Sequence, residues 1–513
     1  MGKTWILNKL LQDLSLEKTN GDLLQSIRGV DYDSRRVNRD FLFAAIPGIH
    51  YNGADFIEEA ISRGAKAILT QEDLIDRPVH KGVSYVKVKD SREALSKISA
   101  AFYDFPSRQL KVIGITGTNG KTSTTYLLES ILKAAHFAVG VIGTVNYRIR
   151  DRIIPSVRTT PESLELQFLL KEMVEAGITH VIMEVSSHAL TQRRVSQIDF
   201  DIGLFTNLSQ DHLDYHKTMG NYFASKNLLF ESLGRLSQKN GEKYAIVNGD
   251  DQASTGILKT LENSPGVKIL SFGLGDKNLC RAEAIESKSD NNRFIISYPS
   301  ADIEVNLSLF GRHNVYNALA AASCGFSLDI EPGFIKEGLE KLKNIPGRFE
   351  FIGKHLPFEI VVDYAHTEAA LRNILESAGK MSPKRIILVF GCGGDRDKGK
   401  RPLMGKAAEE LADFSILTSD NPRSEEPEEI INHIKTGFTL KRNYQVILDR
   451  YQAIESAIKK AVPGDMVIIA GKGHETYQIY KDGVEPFDDR KAVEKILRAM
   501  GISGAQGIRR QDN

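Results

Sequence analysis

A glycine-rich segment, GITGTNGKTS (Gly114–Ser123), has the composition of a phosphate-binding loop. It follows an apolar segment typical of a strand and precedes a helical pattern. Glycines let the backbone turn tightly so that successive N–H groups face one anion, and the helix start adds its dipole. Lys121, expected to face solvent, supplies charge, and the Thr122 hydroxyl is placed for Mg²⁺. Ile115 replaces a glycine of the strict pattern, so this is a variant loop; the alternative is a plain strand-to-helix turn with an incidental lysine.

Two residues at predicted strand ends are candidates for a metal–phosphate centre. Glu184 ends the apolar strand HVIMEV, and His212 lies just past the strand IGLFTN. In a parallel sheet, the carboxyl ends of the strands share one edge with the phosphate loop. A carboxylate suits a hard cation, whereas a histidine on Mg²⁺ is less usual, so a turn-capping or core histidine is the alternative for His212. Lys226, in NYFASKNLLF, by its pattern indicates only a solvated helix face.

The elements that position these residues divide into three parts. A chain of 513 residues has the length of about three domains. Pro-containing stretches at residues 103–111 and 343–353 predict the two joints. In each part, short apolar strands alternate with amphipathic helices, which is typical of α/β domains whose mostly parallel sheets are covered on both faces. We therefore expect three α/β domains, at residues 1–108, 109–346 and 347–513.

Composition excludes several classes of function. Lys and Arg total 67 against 66 Asp and Glu, so no overall basic field predicts a nucleic-acid partner. The three cysteines form no CxxC pair, which fits a reducing compartment and argues against a disulfide framework or a zinc site. The N-terminus does not have the pattern of a signal peptide, and no run of about 18 apolar residues occurs. We expect a cytoplasmic protein that does not insert into membranes.

The loop TGTNGKT is similar to the phosphate loop of the Mur ligases and of their relatives, the folylpolyglutamate synthetases. Further blocks resemble the same family: EVSSHALTQRRV (Glu184–Val195), TNLSQDHLDYH (Thr206–His216), VVDYAH (Val361–His366), GCGGDRDKGKRPLM (Gly391–Met404), DNPR (Asp420–Arg423) and GKGHE (Gly471–Glu475). The last three resemble the members that add meso-diaminopimelate to a UDP-linked muramoyl dipeptide. The resemblance spans about residues 30 to 490.

This resemblance implies a small N-terminal UDP-binding domain, a central P-loop ATPase and a C-terminal Rossmann-like domain that brings the amino acid. It implies a bacterial ligase of peptidoglycan synthesis, with ATP as co-substrate, Mg²⁺ as cofactor and small molecules as its only partners, working as a monomer. The D-glutamyl carboxylate of the substrate attacks the γ-phosphate of ATP, and the incoming amine then attacks the acyl phosphate. The last domain is expected to close over ATP bound on the central one.

The resemblance also assigns the site residues. Lys121, Lys226 and His212 are the expected catalytic residues. The ATP-binding residues are Gly117, Thr118, Asn119, Gly120, Lys121, Thr122, Ser123, Asn314, Arg348 and Asp363. The metal site has Thr122, Glu184, His212 and Lys226, the last as a carbamate. The muramoyl-dipeptide contacts are Ser34, Thr159, Thr160, Ser186, Gln192 and Arg194. The diaminopimelate contacts are Arg396, Asp420, Asn421, Pro422, Arg423, Gly471 and Glu475.

Plainer interpretations remain beside these assignments. Thr159 and Thr160 with the following proline are typical of a helix N-terminus, and Arg423 in a Pro-containing turn is typical of a solvated side chain. Arg158 stands where some relatives carry Asn. Against the solvated reading, an Arg at a sheet edge can pair with the distal carboxylate that distinguishes diaminopimelate from lysine.

Three other functions stay open at this point. One is a lysine-adding version of the same ligase. A second is a folylpolyglutamate synthetase, which is not expected to carry DNPR or the GCGGDRDKGKRP block. The third is a non-catalytic nucleotide-binding module, which would leave Glu184, His212 and Lys226 without a role.

Overall fold

The computed structural model describes residues 4–48, 51–73, 80–234, 239–264, 266–287, 291–353, 356–440 and 443–502. Over these residues the chain forms three large sheets in succession, each with helices packed against it, and two small two-stranded sheets, β1 with β3 and β25 with β26. The predicted fold class, three α/β units with a mostly parallel central sheet, is confirmed. The domain boundaries themselves stay predictions.

The N-terminal unit is built on a sheet with the strand order β2-β7-β6-β5-β4, parallel from β7 to β4. Short turns of 3₁₀ helix interrupt the connections at Ser34–Arg36 and Gly53–Phe56. Its elements are β1 (Trp5–Ile6), α1 (Leu7–Leu11), β2 (Leu16–Asn20), β3 (Ser26–Ile27), β4 (Gly29–Asp31), β5 (Phe41–Ala45), α2 (Ile57–Ser62), β6 (Ala65–Thr70), β7 (Ser84–Val88) and α3 (Ser91–Phe102).

The central unit contains an eleven-stranded sheet within the described residues, in the order β11-β10-β9-β12-β8-β13-β14-β15-β16-β17-β18. The strands from β9 to β16 are parallel, and the hairpins at both edges are antiparallel. Its elements are β8 (Lys111–Thr116), α4 (Lys121–Ala134), β9 (Val139–Ile142), β10 (Asn146–Ile149), β11 (Arg152–Pro155), α5 (Ser163–Glu175), β12 (His180–Glu184), α6 (Ser187–Thr191), β13 (Ile202–Phe205), α7 (Leu213–His216), α8 (Met219–Leu233), β14 (Lys243–Asn248), α9 (Ser254–Leu261), β15 (Val267–Gly273), β16 (Cys280–Ser287), β17 (Asn292–Tyr298), β18 (Ala301–Leu307), α10 (Arg312–Ser327) and α11 (Pro332–Lys341).

The C-terminal unit has a sheet in the order β19-β20-β24-β21-β22-β23, parallel except for β19. A separate hairpin, β25–β26, follows it. Its elements are β19 (Glu350–Phe351), β20 (Glu359–Asp363), α12 (Glu368–Lys380), β21 (Ile386–Phe390), α13 (Lys400–Leu411), β22 (Phe414–Leu417), α14 (Pro427–Lys435), β23 (Tyr444–Val446), α15 (Arg450–Lys460), β24 (Met466–Ala470), β25 (Tyr477–Tyr480), β26 (Gly483–Pro486) and α16 (Asp489–Ala499).

The central strands are apolar on both faces because helices cover both faces of the sheet. In β8, Val112 faces one apolar core and Ile113 and Ile115 face the other, and all three are fully buried. Such a strand has a continuous run of apolar residues, whereas a strand with one solvent-exposed face alternates apolar and polar residues. Strand β8 lies between β12 and β13, so three strand ends converge beside the phosphate loop.

Among the described residues, no helix is both long and apolar enough to cross a membrane.

A fully buried ion pair holds the C-terminal unit together behind its strand ends. The guanidinium of Arg450 forms two bonds to the carboxylate of Asp489, at 2.7 and 2.8 Å, and both side chains are 0% exposed. The same guanidinium donates to the carbonyl of Ala470, the last residue of β24, at 3.0 Å. The pair therefore joins helices α15 and α16 to the carboxyl end of strand β24.

We predict that Arg450→Met destabilises the C-terminal unit by about 3–5 kcal/mol, because it leaves the Asp489 carboxylate buried without a counter-charge. Urea unfolding followed by circular dichroism measures the change. Lys459→Met on the same helix is the control, since the Lys459–Glu455 pair is exposed and contributes less than about 1 kcal/mol. Equal midpoints for the two variants would contradict the prediction.

Candidate functional site

The phosphate loop connects β8 to α4 and packs against two neighbouring segments. Gly117 and Gly120 have φ of 144° and 87°, values that favour glycine. A Cβ on Gly117 would lie 1.9 Å from Oγ1 of Thr206. The backbone N–H groups of Thr118 and Asn119 donate to Asn207 at 2.9 Å. The loop thus leads into the N-terminus of α4, whose first N–H groups form an anion-binding end.

Lys121 is the first residue of α4 and is half-buried. Its Nζ donates to the carbonyls of Gly117, at 2.7 Å, and Thr118, at 2.9 Å. Burial lowers the pKa of Lys121. The expectation that this lysine faces solvent is therefore wrong: the loop folds around it, and its charge lies at the base of the anion site.

Glu184 lies at the carboxyl end of β12, buried beside the start of α4. Its Oε2 accepts the hydroxyl of Thr122 at 3.0 Å and that of Thr144 at 2.7 Å, and its Oε1 accepts the N–H of Thr144 at 3.0 Å. The predicted proximity of Glu184 to Thr122 is therefore present in the structure. A carboxylate and a hydroxyl side by side are oxygen ligands of the kind that hard cations prefer.

Lys226 is buried on α8, and it does not lie on a solvated face. Its Nζ donates to the carbonyl of Gly117 at 2.8 Å, the same oxygen that Lys121 contacts, and lies 4.4 Å from the centroid of the Tyr222 ring. Burial, together with the charge of Lys121, lowers the pKa of Lys226 well below its usual value. The geometry thus places two lysine nitrogens on one backbone oxygen.

His212 has a left-handed backbone, φ 56°, immediately before α7. Its ring lies 4.8 Å from that of His188 and 6.0 Å from that of Tyr222, measured between centroids. Burial lowers the pKa of His212 well below its usual value, which favours the neutral imidazole, the form that binds metals. Both His212 and Lys226 therefore flank Tyr222.

The described residues include no group of three or more His, Cys, Asp or Glu side chains that could hold a metal ion by themselves. Thr122 and Glu184 are nevertheless compatible with Mg²⁺, which keeps several waters and takes one or two protein oxygens together with substrate phosphates.

Arg348 brings the C-terminal unit to the phosphate loop. Its Nη2 lies 3.2 Å from the hydroxyl of Thr122, and its guanidinium lies 4.5 Å from the centroid of the Tyr364 ring. Asp363 lies close by, where its carboxylate accepts the N–H groups of Phe349 and Ala365 at 2.6 and 2.7 Å. Burial raises the pKa of Asp363. The joint between the central and C-terminal units is therefore held against the start of α4, next to the phosphate loop.

Asn314, in the first turn of α10, is buried behind the same loop. Its amide donates to the carbonyl of Phe310 at 2.7 Å and accepts the amide of Asn317 at 3.0 Å. Asn317 in turn packs against Gly120, where an added Cβ would lie 2.5 Å from Oδ1. Asn314 thus supports the loop through Asn317.

Five of the six predicted muramoyl-dipeptide residues gather beside Glu184. The hydroxyl of Thr160 bonds to the carbonyl of Glu184 at 2.8 Å, and Nη1 of Arg194 donates to the carbonyl of Thr160 at 3.0 Å. The remaining contacts are Ser186 N–H to Thr160 Oγ1 (3.1 Å), Arg194 Nη2 to Gln192 Oε1 (2.5 Å) and Thr159 Oγ1 with Thr144 Oγ1 (3.1 Å).

Ser34, the sixth, is on the N-terminal unit, where its buried hydroxyl donates to Glu59 at 2.7 Å. Arg158, the other residue marked in the sequence, lies next to Thr159, with its Nη1 3.7 Å from Glu162.

The predicted diaminopimelate residues cluster at the strand ends of the C-terminal sheet. Asn421 donates to the Glu475 carboxylate at 2.9 Å, and the buried Lys472 donates to both, at 3.1 and 3.0 Å. Close packing of glycines fixes this cluster: a Cβ on Gly471 would lie 2.5 Å from Oδ2 of Asp420, and one on Gly394 would lie 1.8 Å from the carbonyl oxygen of Pro422.

Two arginines lie beside that cluster. Arg423 has φ 55°, and its Nη1 donates to the carbonyl of Gly394 at 2.8 Å. Burial, with the nearby charge of Arg396, lowers the pKa of Arg423. Arg396 is exposed and donates to the carbonyl of Asp395 at 3.2 Å. Arg423 is therefore half-buried and held in place, contrary to the interpretation of a solvated turn residue.

Several residues of the site were missed in the sequence. Thr144 binds Glu184 through both its N–H and its hydroxyl, and nothing in its segment distinguishes it as a site residue. Asp211 and Lys400 lie inside blocks that resemble the Mur ligases, so their blocks could have indicated them. Burial alone would raise the pKa of Asp211, but the charges around it, Lys400 first, hold it well below its usual value.

Comparison with known proteins identifies the relatives of this chain. Family models match in three successive segments: "Mur ligase family, catalytic domain" at residues 26–103, "Mur ligase middle domain" at 115–325 and "Mur ligase, glutamate ligase domain" at 347–473. A Clostridium tetani protein named UDP-N-acetylmuramoyl-L-alanyl-D-glutamate–2,6-diaminopimelate ligase is 41% identical over 96% of this chain and 99% of its own. A protein of the same name from Caldanaerobacter subterraneus subsp. tengcongensis is 46% identical, over 92% and 95%.

Solved structures agree with this relationship. A structure titled as a UDP-N-acetylmuramoyl-L-alanyl-D-glutamate–2,6-diaminopimelate ligase matches 97% of this chain and 100% of its own, with 31% identity and a TM-score of 0.67. A MurF ligase from Thermotoga maritima, in complex with ADP, shares the fold at 17% identity, with a TM-score of 0.60 over 92% of this chain and 96% of its own. On the similarity of its sequence over nearly its full length, this chain belongs to the Mur ligase family.

Proposed function

We propose that this chain is an ATP-dependent, Mg²⁺-requiring ligase that joins meso-diaminopimelate to the D-glutamate of UDP-N-acetylmuramoyl-L-Ala-D-Glu, in the cytoplasm of a bacterium and as a monomer. The observation that carries the proposal is the identity of 40–46% over nearly the whole chain to relatives named for that reaction. The arrangement of the predicted substrate clusters supports it, since two lie at the strand ends of the central sheet and the third at the strand ends of the C-terminal sheet that contacts it.

The first step in this proposal is transfer of the γ-phosphoryl group. A carboxylate oxygen of the D-glutamyl group attacks the γ-phosphorus, and the bond to the β-phosphate oxygen breaks to release ADP. Lys121 and the N-terminus of α4 are placed to neutralise the phosphates, and Arg348 reaches the same loop from the C-terminal unit. Positioning and charge neutralisation supply most of the rate in such transfers.

In the second step, the amine of the diamino acid attacks the acyl carbon, phosphate leaves with the bonding electrons, and the nitrogen loses a proton. Asn421 and Glu475, two of the residues proposed to bind the diamino acid, lie on the unit that carries Arg348. Docking of that unit against the central one therefore delivers the amine to the acyl phosphate. The contact of this unit with the loop also excludes water from an intermediate that water would hydrolyse.

Mg²⁺, when bound, would offset the negative charge that develops on the transferred phosphoryl group. Thr122 and Glu184 are the residues that would hold it, and His212, whose ring lies near that of Tyr222, is the further expected ligand. Thr144 fixes both oxygens of Glu184, so the carboxylate is oriented before any cation arrives.

Lys226 is proposed to act as a carbamate. Its neutral amine nitrogen adds to the carbon of CO₂ and loses a proton. A side chain that would otherwise become a cation on protonation is thereby converted into a carbamate anion. That change suits this position, because the buried nitrogen shares the Gly117 carbonyl with Lys121 and two positive charges there would repel each other. The negative carbamate would instead pair with Lys121 and face the cation site.

Selection of diaminopimelate over lysine rests in this proposal on Arg423. The two amino acids differ chiefly by one distal carboxylate, and a guanidinium can bind a carboxylate with two parallel charge-assisted bonds. Lysine would leave that guanidinium without its partner, which adds a penalty against it. Glu475 is placed to accept the distal ammonium, and Arg396 is near enough to add a contact.

A screen of amino acids for ADP release in the presence of UDP-muramoyl-dipeptide tests the proposed function. We expect release with meso-diaminopimelate and at least about tenfold lower kcat/KM with lysine. Equal efficiency with lysine would contradict the substrate assignment while leaving the ligase class in place. Absence of amino-acid-dependent ADP release would contradict the ligase itself.

We predict that Lys226→Ala lowers kcat by at least about tenfold, because the mutation removes an anion that the cation site needs. Added acetate should partly restore the rate, and removal of dissolved CO₂ should slow the wild type. Lys259→Ala, an exposed lysine on the next helix, is the control and should leave kcat unchanged. Wild-type kcat in Lys226→Ala would exclude the carbamate from the mechanism.

For Arg423→Ala we predict a KM for diaminopimelate raised about ten- to a hundredfold, the equivalent of one charged hydrogen bond. The KM for ATP should stay within about twofold, since Arg423 contacts the Gly394 loop and not the phosphate loop. Steady-state kinetics with each substrate varied in turn measures both. A parallel rise in the KM for ATP would indicate a general loss of structure instead.

A further inference from the structure

The C-terminal unit contacts a short segment of the central unit, residues 210–212. The amide of Gln210 donates to the carboxylate of Asp397 at 3.2 Å. The Nζ of Lys400 lies 3.4 Å from Oδ1 of Asp211, and Nε2 of His366 lies 3.8 Å from Oδ2 of the same residue. Three side chains of one unit therefore converge on two adjacent residues of the other.

The Lys400–Asp211 ion pair is the most buried of these contacts. Each side chain is only 6% exposed, although the two residues are 189 positions apart in the chain. Lys400 is the first residue of α13, on the C-terminal unit. Buried charges are stable only with their partner in place, because water no longer solvates them. This pair therefore favours the arrangement in which the two units meet.

Asp211, the partner of Lys400, also contacts His212. The N–H of His212 donates to Oδ1 of Asp211 at 2.9 Å, and Oδ2 lies 3.3 Å from Nε2 of the His212 ring. One carboxylate thus bonds to Lys400 on one side and to the backbone and ring of His212 on the other. The strained left-handed backbone of His212 makes its position dependent on such contacts.

We infer that Lys400 is a positioning residue: by pairing with Asp211 it seats the C-terminal unit on the central one and, in the same contact, fixes His212 beside the phosphate loop. Seating the unit that carries the amino-acid cluster and completing the ATP site would then be one event. The catalytic part of this inference rests on the proposed function, whereas the seating part does not.

Lys400→Met removes the charge and keeps the aliphatic stem, and Lys400→Arg keeps the charge. We expect Lys400→Met to lower kcat by at least about tenfold with the KM for the muramoyl dipeptide within about twofold, because the dipeptide contacts lie elsewhere. Lys400→Arg should recover to within about threefold of wild type. Lys398→Met is the matched control: this lysine, two residues away, is 61% exposed and should tolerate the change.

A double-mutant cycle shows whether Lys400 acts through Asp211. If the two form one unit, Asp211→Asn combined with Lys400→Met loses no more activity than the worse single variant. Independent effects, in which the fold-losses multiply, would overturn the inference. A folded Lys400→Met variant with wild-type kcat would overturn it equally.

Small-angle X-ray scattering of the unliganded protein tests, independently of activity, whether Lys400 holds the C-terminal unit against the central one. We expect a larger radius of gyration for Lys400→Met than for the wild type, Lys400→Arg and Lys398→Met. Equal radii for all four would overturn the seating. Should the wild type show no diaminopimelate-dependent ADP release, the proposed function fails, and the scattering still decides whether Lys400 seats the C-terminal unit.

Discussion

The carbonyl oxygen of Gly117 accepts two lysine side chains, Lys121 and Lys226, and this contact sets the conditions for the rest of the site. Burial and the closeness of the two amino groups disfavour a positive charge on both, and both pKa values are lowered. Glu184 lies across the loop with its oxygens already bonded to hydroxyl and N–H groups. In the proposed function, this centre receives the phosphates of ATP together with a cation, and Thr144 and Thr122 orient the Glu184 carboxylate toward it.

The architecture explains why two units meet at this point. A parallel sheet places the ends of β12, β8 and β13 side by side, so Glu184, the phosphate loop and the His212 segment occupy one edge. The C-terminal sheet presents its own strand ends, with Asp363 and the DNPR segment, toward that edge. The two sheets thus face each other by their carboxyl ends, so the residues proposed for the nucleotide and for the amino acid lie along facing edges.

Much of this arrangement was predictable from the sequence. Apolar runs such as KVIGIT identified the parallel strands because both of their faces are buried, and Lys121, Glu184 and Arg423 lay in recognisable blocks. The sequence did not reveal β16 or the two antiparallel strands that follow it, β17 and β18, because β16 and β18 carry many exposed polar residues and no distinctive motif.

The contacts between units could not be read from the sequence. Lys400 and Asp211 are far apart in the chain, and their proximity depends on how two domains pack, which no local pattern encodes. The burial of Lys226 likewise follows from the packing of α8, whereas its neighbours in sequence indicate a solvent-exposed helix face.

The packing of the phosphate loop also has a consequence for biosynthesis. Thr206 and Asn207 hold Gly117 and Asn119 in shape, and Asn317 packs behind Gly120, so a loop made early depends on residues made much later. Contacts of such long range form late in folding, and during synthesis the ribosome delivers the chain from its N-terminus. The packing around the phosphate loop is therefore completed only after about two hundred further residues have emerged, and the segment that carries Arg348 and Lys400 follows it. The order of translation therefore places the completed phosphate loop before the C-terminal unit that packs against it.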